Sequence, residues 1–205
     1  KLLDPCIKLI ACQLDDIWAR DTGSVFAFDD MGRKSAIDFN FNGWGGKQTH
    51  AQDAKVASFM AGIAGVPRVF TKLVLEGGAI EVDGQGTALM TESCVLNDNR
   101  NPGWTKSEIE AELHRLLGIE KAIWLPGVKG QDITDAHIDF YARFVRPGVV
   151  VPGFEPDASY ADHEITKANI RLLKSATDAK GRKLEVHVIE GPRKKKKKFA
   201  NDEFA

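Results

Sequence analysis

The sequence predicts a mixed α/β fold, and three observations carry that expectation. Short β-prone runs arrive in pairs around tight polar turns, single amphipathic helices follow the pairs, and the pattern returns roughly every fifty residues. A doubly wound parallel sheet is excluded, because no G-x-G-x-x-G turn leads from a strand into a helix.

The elements follow in order. "SVFAF" and "AIDFNFN" flank an Asp-Asp-Met-Gly turn and predict a hairpin. Residues 50–64 place apolar groups at 56, 59, 60, 63 and 64, the helical spacing, and Gly65 followed by Pro67 ends the helix. The run from Arg68 to Leu96 predicts three short strands broken at Gly77-Gly78 and at Asp83-Gly84-Gln85-Gly86, with Cys94 a buried strand residue. In "TKSEIEAELHRLLGI", Thr105 with Glu108 is the signature of a capping box, and Gly118 stands where a C-terminal cap belongs. There follow the strand "KAIWL", a loop over 126–135, the strands "HIDFYARFV" and "GVVVPGF", a helix over 161–179 and a last strand, "KLEVHVIEG".

Composition narrows the function classes. With 28 basic and 29 acidic residues the net charge is −1, so no global field favours nucleic acid or an anionic membrane. No run of eighteen apolar residues predicts a membrane span. Cys6, Cys12 and Cys94 form no even framework, which points to a reducing, cytoplasmic compartment. Arg193 to Lys198 are six consecutive basic residues, and 192–205 reads as a lysine-rich loop or disordered end before it reads as a nucleic-acid or targeting element.

Four stretches place ionisable groups where a plain fold does not need them. Asp21 in "DDIWARDTG" reads first as a turn or cap carboxylate. Glu76 ends an apolar strand, where a solvated carboxylate is ordinary, although Gly77 and Gly78 let a backbone approach something closely. "FNGWGG" reads first as a tight turn anchored by an aromatic ring. His137 and Asp139 in "TDAHIDF" share one face if the segment is a strand. As metal ligands they need a third donor, and His50, His114, His163 and His187 stand at no recognisable spacing from them, so a metal centre is not expected. As a proton-handling pair they make chemical sense, since a carboxylate holds an imidazole protonated near neutral pH. Taken together, Asp21, Glu76, His137 and Asp139 suit a planar cation, because a guanidinium stays charged and presents N–H groups in a fork that carboxylates match in pairs.

"WARDTG", "FNGWGG", "LEGGAIEVDGQGTALMTESCVLNDNRNP" and "DITDAHIDFYARFVRPGVV" resemble the agmatine deiminase and Porphyromonas-type peptidylarginine deiminase family over about residues 13–190. The resemblance implies the pentein fold, a five-bladed α/β propeller of which this chain holds about three blades as one incomplete catalytic domain. It implies cofactor-free hydrolysis of a small guanidine, agmatine first, to a ureido product and ammonia through a thiouronium intermediate. Asp21 and Asp139 then correspond to the carboxylates that clamp substrate nitrogens, His137 to the general acid and base, and Glu76 to the group that orients and charges His137. Trp18 and Trp44 are candidate pocket walls, with core packing open for both. The family's nucleophile is a cysteine in a "GGGNIHC"-like motif, which this sequence lacks, and Lys1 in place of Met is compatible with a missing start. The chain alone is therefore expected not to turn over, and its unpaired edges lead to an expectation of homo-oligomers or aggregation.

Overall fold

In the computed structural model, which describes residue 4 and residues 6–192, three small sheets are assembled by one rule. Each unit is a hairpin, then a helix, then a strand laid parallel to the second hairpin strand. In the first, β1 (Val25–Phe28) pairs antiparallel with β2 (Lys34–Asp38), α1 (Val56–Ala64) crosses over, and β3 (Arg68–Phe70) runs parallel to β2. The second has β4 (Glu81–Val82), β5 (Thr87–Thr91), α2 (Lys106–Leu117) and β6 (Lys121–Leu125) in the same roles. The third has β7 (Ala142–Arg146), β8 (Val149–Phe154) and α3 (Asp162–Ser175), followed by two short strands, β9 (Glu185–Val186) and β10 (Ile189–Glu190), both parallel to β8. Parallel neighbours require a long connection, which is the part each helix plays. The fold is mixed α/β.

Local chemistry accounts for the boundaries. In the first hairpin Asp29 Oδ1 accepts from the amides of Met31 and Arg33, and Gly32 takes the left-handed conformation at φ 73°. Thr105 caps α2 through the full reciprocal box with Glu108, and Gly118 ends it at φ 65°. α1 starts at Val56 after a 3₁₀ turn, Asp53–Lys55, and buries Val56, Ala57 and Ala61, leaving Ile63 half-exposed.

The second sheet lies between two cores, and the two-residue period of β5 is the reason. Ala88 and Met90 face one cluster with Ile37, Leu73, Leu75, Ile109 and Leu113, whereas Leu89 faces another with Ile123, Leu125, Ile138, Val150 and Leu173. All five β5 residues are buried as a result.

The sequence-based assignments need correction at five places. The segment expected as one strand from His137 begins with a 3₁₀ turn, Ile138–Phe140, and only Ala142–Arg146 is strand. Asp135 and Ala136 stand at φ 59° and 71°, which breaks an extended path, so His137 and Asp139 meet around a turn and not along one strand face. Leu73–Leu75 joins no ladder: the Asn101 side chain takes both the amide and the carbonyl of Val74 at 2.9 Å, and the Leu75 amide donates to the Phe39 carbonyl. Cys94 lies in a short helix, Glu92–Val95, and not in a strand, although it is buried as expected. α3 stops at Ser175, and the last strand is two pieces, where His187 still donates to Val150 but the ladder breaks. The lysine run, Arg193 to Lys198, lies outside the described residues.

Substituting Thr105→Ala should destabilise the chain by about 1 kcal/mol, the usual worth of a helix cap. Leu113→Ala, which opens a cavity in the first core, should cost about 2–5 kcal/mol. Urea unfolding midpoints would separate the two, and equal losses would mean that α2 is held by its ends and not by its buried face.

Candidate active site

Each unit is entered through a short helical turn, and these entrances meet. Asp21 belongs to the turn Ala19–Thr22 ahead of β1. Glu76 stands at the head of the 3₁₀ turn Gly77–Ala79 ahead of β4, and His137 at the head of Ile138–Phe140, which contains Asp139, ahead of β7. The first turn packs on the second and the second on the third. Glycine permits this closeness: a Cβ on Gly77 would fall 2.0 Å from the Arg20 carbonyl oxygen. A Cβ on Gly78 would sit 2.5 Å from His137 Nδ1, 2.7 Å from Asp21 Oδ1 and 2.9 Å from Asp139 Oδ2. Three polar atoms from two turns thus surround one point above a bare backbone.

The groups around that point are fixed from behind. Asp21 accepts from the Gly78 amide at 2.9 Å and from Trp44 Nε1 at 3.0 Å. Trp44 is buried, held at φ 55° and stacked edge-on against Phe41. Trp18 is half-exposed and accepts through its carbonyl from the amides of Asp21 and Thr22. The imidazole of His137 points Nε2 at Glu76 Oε2, 3.3 Å away, and Nδ1 toward Asp21 Oδ1 at 3.8 Å. The Phe140 ring, largely exposed, lies nearly parallel to the imidazole at 6.4 Å.

Behind Glu76 lies a polar network that sequence reasoning missed. Arg100, with a fully buried side chain, donates through Nε to both Glu76 oxygens at 2.8 and 3.1 Å. Its Nη1 reaches Asp135 Oδ2 at 2.8 Å and Asn99 Oδ1 at 3.1 Å, and Nη2 reaches the Thr134 carbonyl at 2.9 Å. Lys47 closes the network on Asp135 Oδ2 at 2.7 Å. The available signal was an arginine inside the Asn- and Asp-rich "LNDNRNP", a composition that resembles a surface turn.

Burial and pairing set the charges. Burial pushes the Glu76 carboxyl up, but the hydrogen bond from His137 and the charges of Arg100 and His137 outweigh it and hold it below the usual carboxylate range. Burial pushes the His137 imidazole down, and the Glu76 hydrogen bond together with the charges of Glu76, Asp21 and Asp139 reverses this, leaving it raised. Asp139 is raised by burial and by Asp21, against the opposing pull of His137, Arg143 and Arg20. Asp135, pushed up by burial, is brought down to about 2 by Lys47, Arg100 and Asn99.

Glu76, Cys94 and His137 are the one set of three metal-type donors that converge among the described residues, within 4.8 Å of one another. They fit a hydrogen-bonded cluster better than a metal centre. The guanidinium of Arg100 already occupies the face of Glu76, and a dication beside it would meet a permanent positive charge. Burial, reinforced by Glu76, pushes the Cys94 thiol well up, so the sulfur stays protonated and donates to Glu76 Oε2 at 3.7 Å. His50, His114, His163 and His187 make local hydrogen bonds elsewhere.

The model of the Porphyromonas-type peptidyl-arginine deiminase family matches residues 1–204. A Streptomyces avermitilis protein provisionally named an agmatine deiminase is 47% identical over 199 residues, covering 93% of this chain and 58% of the relative. The solved agmatine deiminase of Enterococcus faecalis superposes with a TM-score of 0.88 at 37% identity, over 94% of this chain and 54% of that one. A substrate-bound C. jejuni agmatine deiminase superposes with a TM-score of 0.78 at 30% identity, over 93% and 56% of the two chains. The chain spans a little over half the length of these proteins.

The Glu76–His137 pair makes stability depend on pH in a defined window. The Glu76 pKa is depressed, so its contribution is present above the ordinary value of 4.5 and is lost as pH falls through the folded value. The His137 pKa is raised, so its contribution is full below 6.5 and is lost as pH rises through the folded value. Urea midpoints should therefore decline on either side of the interval between 4.5 and 6.5, and Glu76→Gln should flatten that profile. Parallel profiles for the two proteins would show that the pair carries no such linkage.

Proposed function

Because the chain belongs to the Porphyromonas-type peptidyl-arginine deiminase family, we propose that its carboxylates and imidazole form the guanidinium-handling part of an agmatine deiminase-like hydrolase. The single observation that carries this is the convergence of Asp21, Asp139 and His137 on the point above Gly78. A flat, permanently charged group fits such a place, since its N–H fork is satisfied by carboxylates on separate turns, and a buried cation without partners would be too costly.

The chemistry follows from the directions of the groups. Asp21 and Asp139 hold the guanidinium nitrogens and orient the carbon for attack. A thiolate adds to that carbon, forming a C–S bond, and His137 gives a proton to the departing nitrogen as the C–N bond breaks and ammonia leaves. Water then adds as His137 takes one of its protons, the C–S bond breaks to regenerate the thiolate, and the remaining hydroxyl proton passes to solvent to leave a neutral ureido group. Glu76 holds Nε2 so that Nδ1 is the nitrogen that works. With agmatine the products are N-carbamoylputrescine and ammonia, a step of polyamine synthesis.

In this scheme the thiol comes from elsewhere than the described residues. Cys94 lies behind Glu76 with its sulfur buried and protonated, and Cys6 and Cys12 are exposed in the segment before Asp21. We therefore assign these residues guanidine binding without turnover, and read them as about three of the five blades of a pentein propeller. The family's name supports arginine in a peptide as the alternative substrate, and free arginine shares the same guanidinium. The absence of a thiol facing Gly78 among the described residues supports a guanidine-binding remnant as the second alternative. No metal or organic cofactor, nucleic acid or membrane enters either scheme. A homo-oligomer and a cytoplasmic setting are compatible with it, and no helix of the described residues is long and apolar enough to cross a membrane.

Titration calorimetry with agmatine and with arginine tests the proposal. Agmatine should bind, and Asp21→Asn or Asp139→Asn should each weaken it by about tenfold or more, the usual worth of a charged hydrogen bond. Ureido-product colorimetry should stay at background. Binding that survives both substitutions would remove the clamp, and robust turnover by these 205 residues would show that a nucleophile has been overlooked.

A further inference from the structure

We propose that Arg100 is a positioning residue for proton transfer: it fixes the Glu76–His137 pair in register and supplies the cation that lets His137 release its proton. The inference rests on the assignment of His137 as the acid and base of the site.

The geometry gives one guanidinium two tasks. Its Nε edge holds both oxygens of Glu76. Its other end holds the Thr134 carbonyl and the Asp135 carboxylate, three and two residues ahead of His137. Thr134 Oγ1 in turn accepts from the His137 amide at 3.0 Å. The carboxylate that faces Nε2 and the backbone that carries the ring are therefore tied to the same rigid plane. The base of Arg100 is equally fixed, because its amide bonds Asn97 and the next residue, Asn101, pins Val74 and Val95. Its outward arm is buttressed by Lys47 through Asp135.

His137 is faced by Glu76 on its Nε2 side and by Asp21 and Asp139 around Nδ1, with Cys94 beside Glu76 and Asp135 behind Arg100. Arg20 and Arg143 both pair with Glu81 and act on Asp139 only through space, and Lys47 pairs with Asp135, so none of these three cations forms an ion pair with a carboxylate in contact with the imidazole. Among the described residues Arg100 is the cation that does, through Glu76. Three anions with no such counter-charge would bind the imidazolium proton too tightly for a group that must give it up and take it back. Lysine could supply the charge but not the planar fork that spans Glu76, Thr134 and Asp135.

The test reads His137 directly in the ligand-free chain, so it is independent of whether agmatine binds or turns over. The ring resonances of His137 would be followed by NMR across pH in the parent, Arg100→Lys and Arg100→Met proteins. Arg100→Met should raise the midpoint by about one pH unit or more, and Arg100→Lys should stay within about half a unit. A folded Arg100→Met protein with an unchanged midpoint would overturn the proposal and leave Arg100 a purely structural anchor. If Arg100→Met does not fold, the Nε–H resonance of Arg100 in the unsubstituted protein decides: it should shift with the same midpoint as the His137 ring. A resonance that ignores that transition would overturn the proposal equally.

Discussion

A fully buried carboxylate, Glu76, is the constraint from which the rest of the site follows. An ionised group at that depth is tolerable only when its oxygens are occupied by charged donors, because water can no longer solvate it. Arg100 meets the need from one side and His137 from the other. Each of those groups then requires partners of its own, and the loop before His137 and the Asn-rich turn before Asn101 are shaped to provide them. The imidazole ends with one nitrogen committed to Glu76 and the other directed at the point above Gly78, which is the asymmetry a proton carrier needs.

The architecture explains how residues more than a hundred positions apart arrive at one point. Every unit begins with a tight helical turn, and the turns pack on one another where the three sheets start. The strands behind them are rigid, with β5 anchored in two cores at once. Loops carry the chemistry and buried strands hold the loops, so the precision of the site comes from packing that lies outside it. Gly77 and Gly78 are where the turns touch, and any side chain there would force them apart.

Much of this could be read from the sequence where local chemistry decides. The hairpin around Asp29, the capping box of Thr105 and the stops at Gly65 and Gly118 are encoded within a few residues, and the structure has them there. Asp21, Glu76, His137 and Asp139 do stand together, but no strand face aligns His137 with Asp139. A strand face was expected to align His137 with Asp139, whereas a 3₁₀ turn does so after two left-handed residues, which no periodicity announces. Arg100 and Asp135 were illegible because polar residues between elements look like solvated turn. Only the tertiary structure shows that Asn97, Arg100 and Asn101 of this turn are buried and that its arginine faces inward. The same holds for Val74, whose ladder is replaced by the side chain of Asn101.

The most direct measurement of the central claim is a crystal of this chain soaked with agmatine. The account predicts a planar density over Gly78, with guanidinium nitrogens in hydrogen-bonding reach of Asp21 and Asp139 and the imidazole of His137 alongside. A guanidinium seated anywhere else on the chain, or an empty site at saturating agmatine, would contradict it.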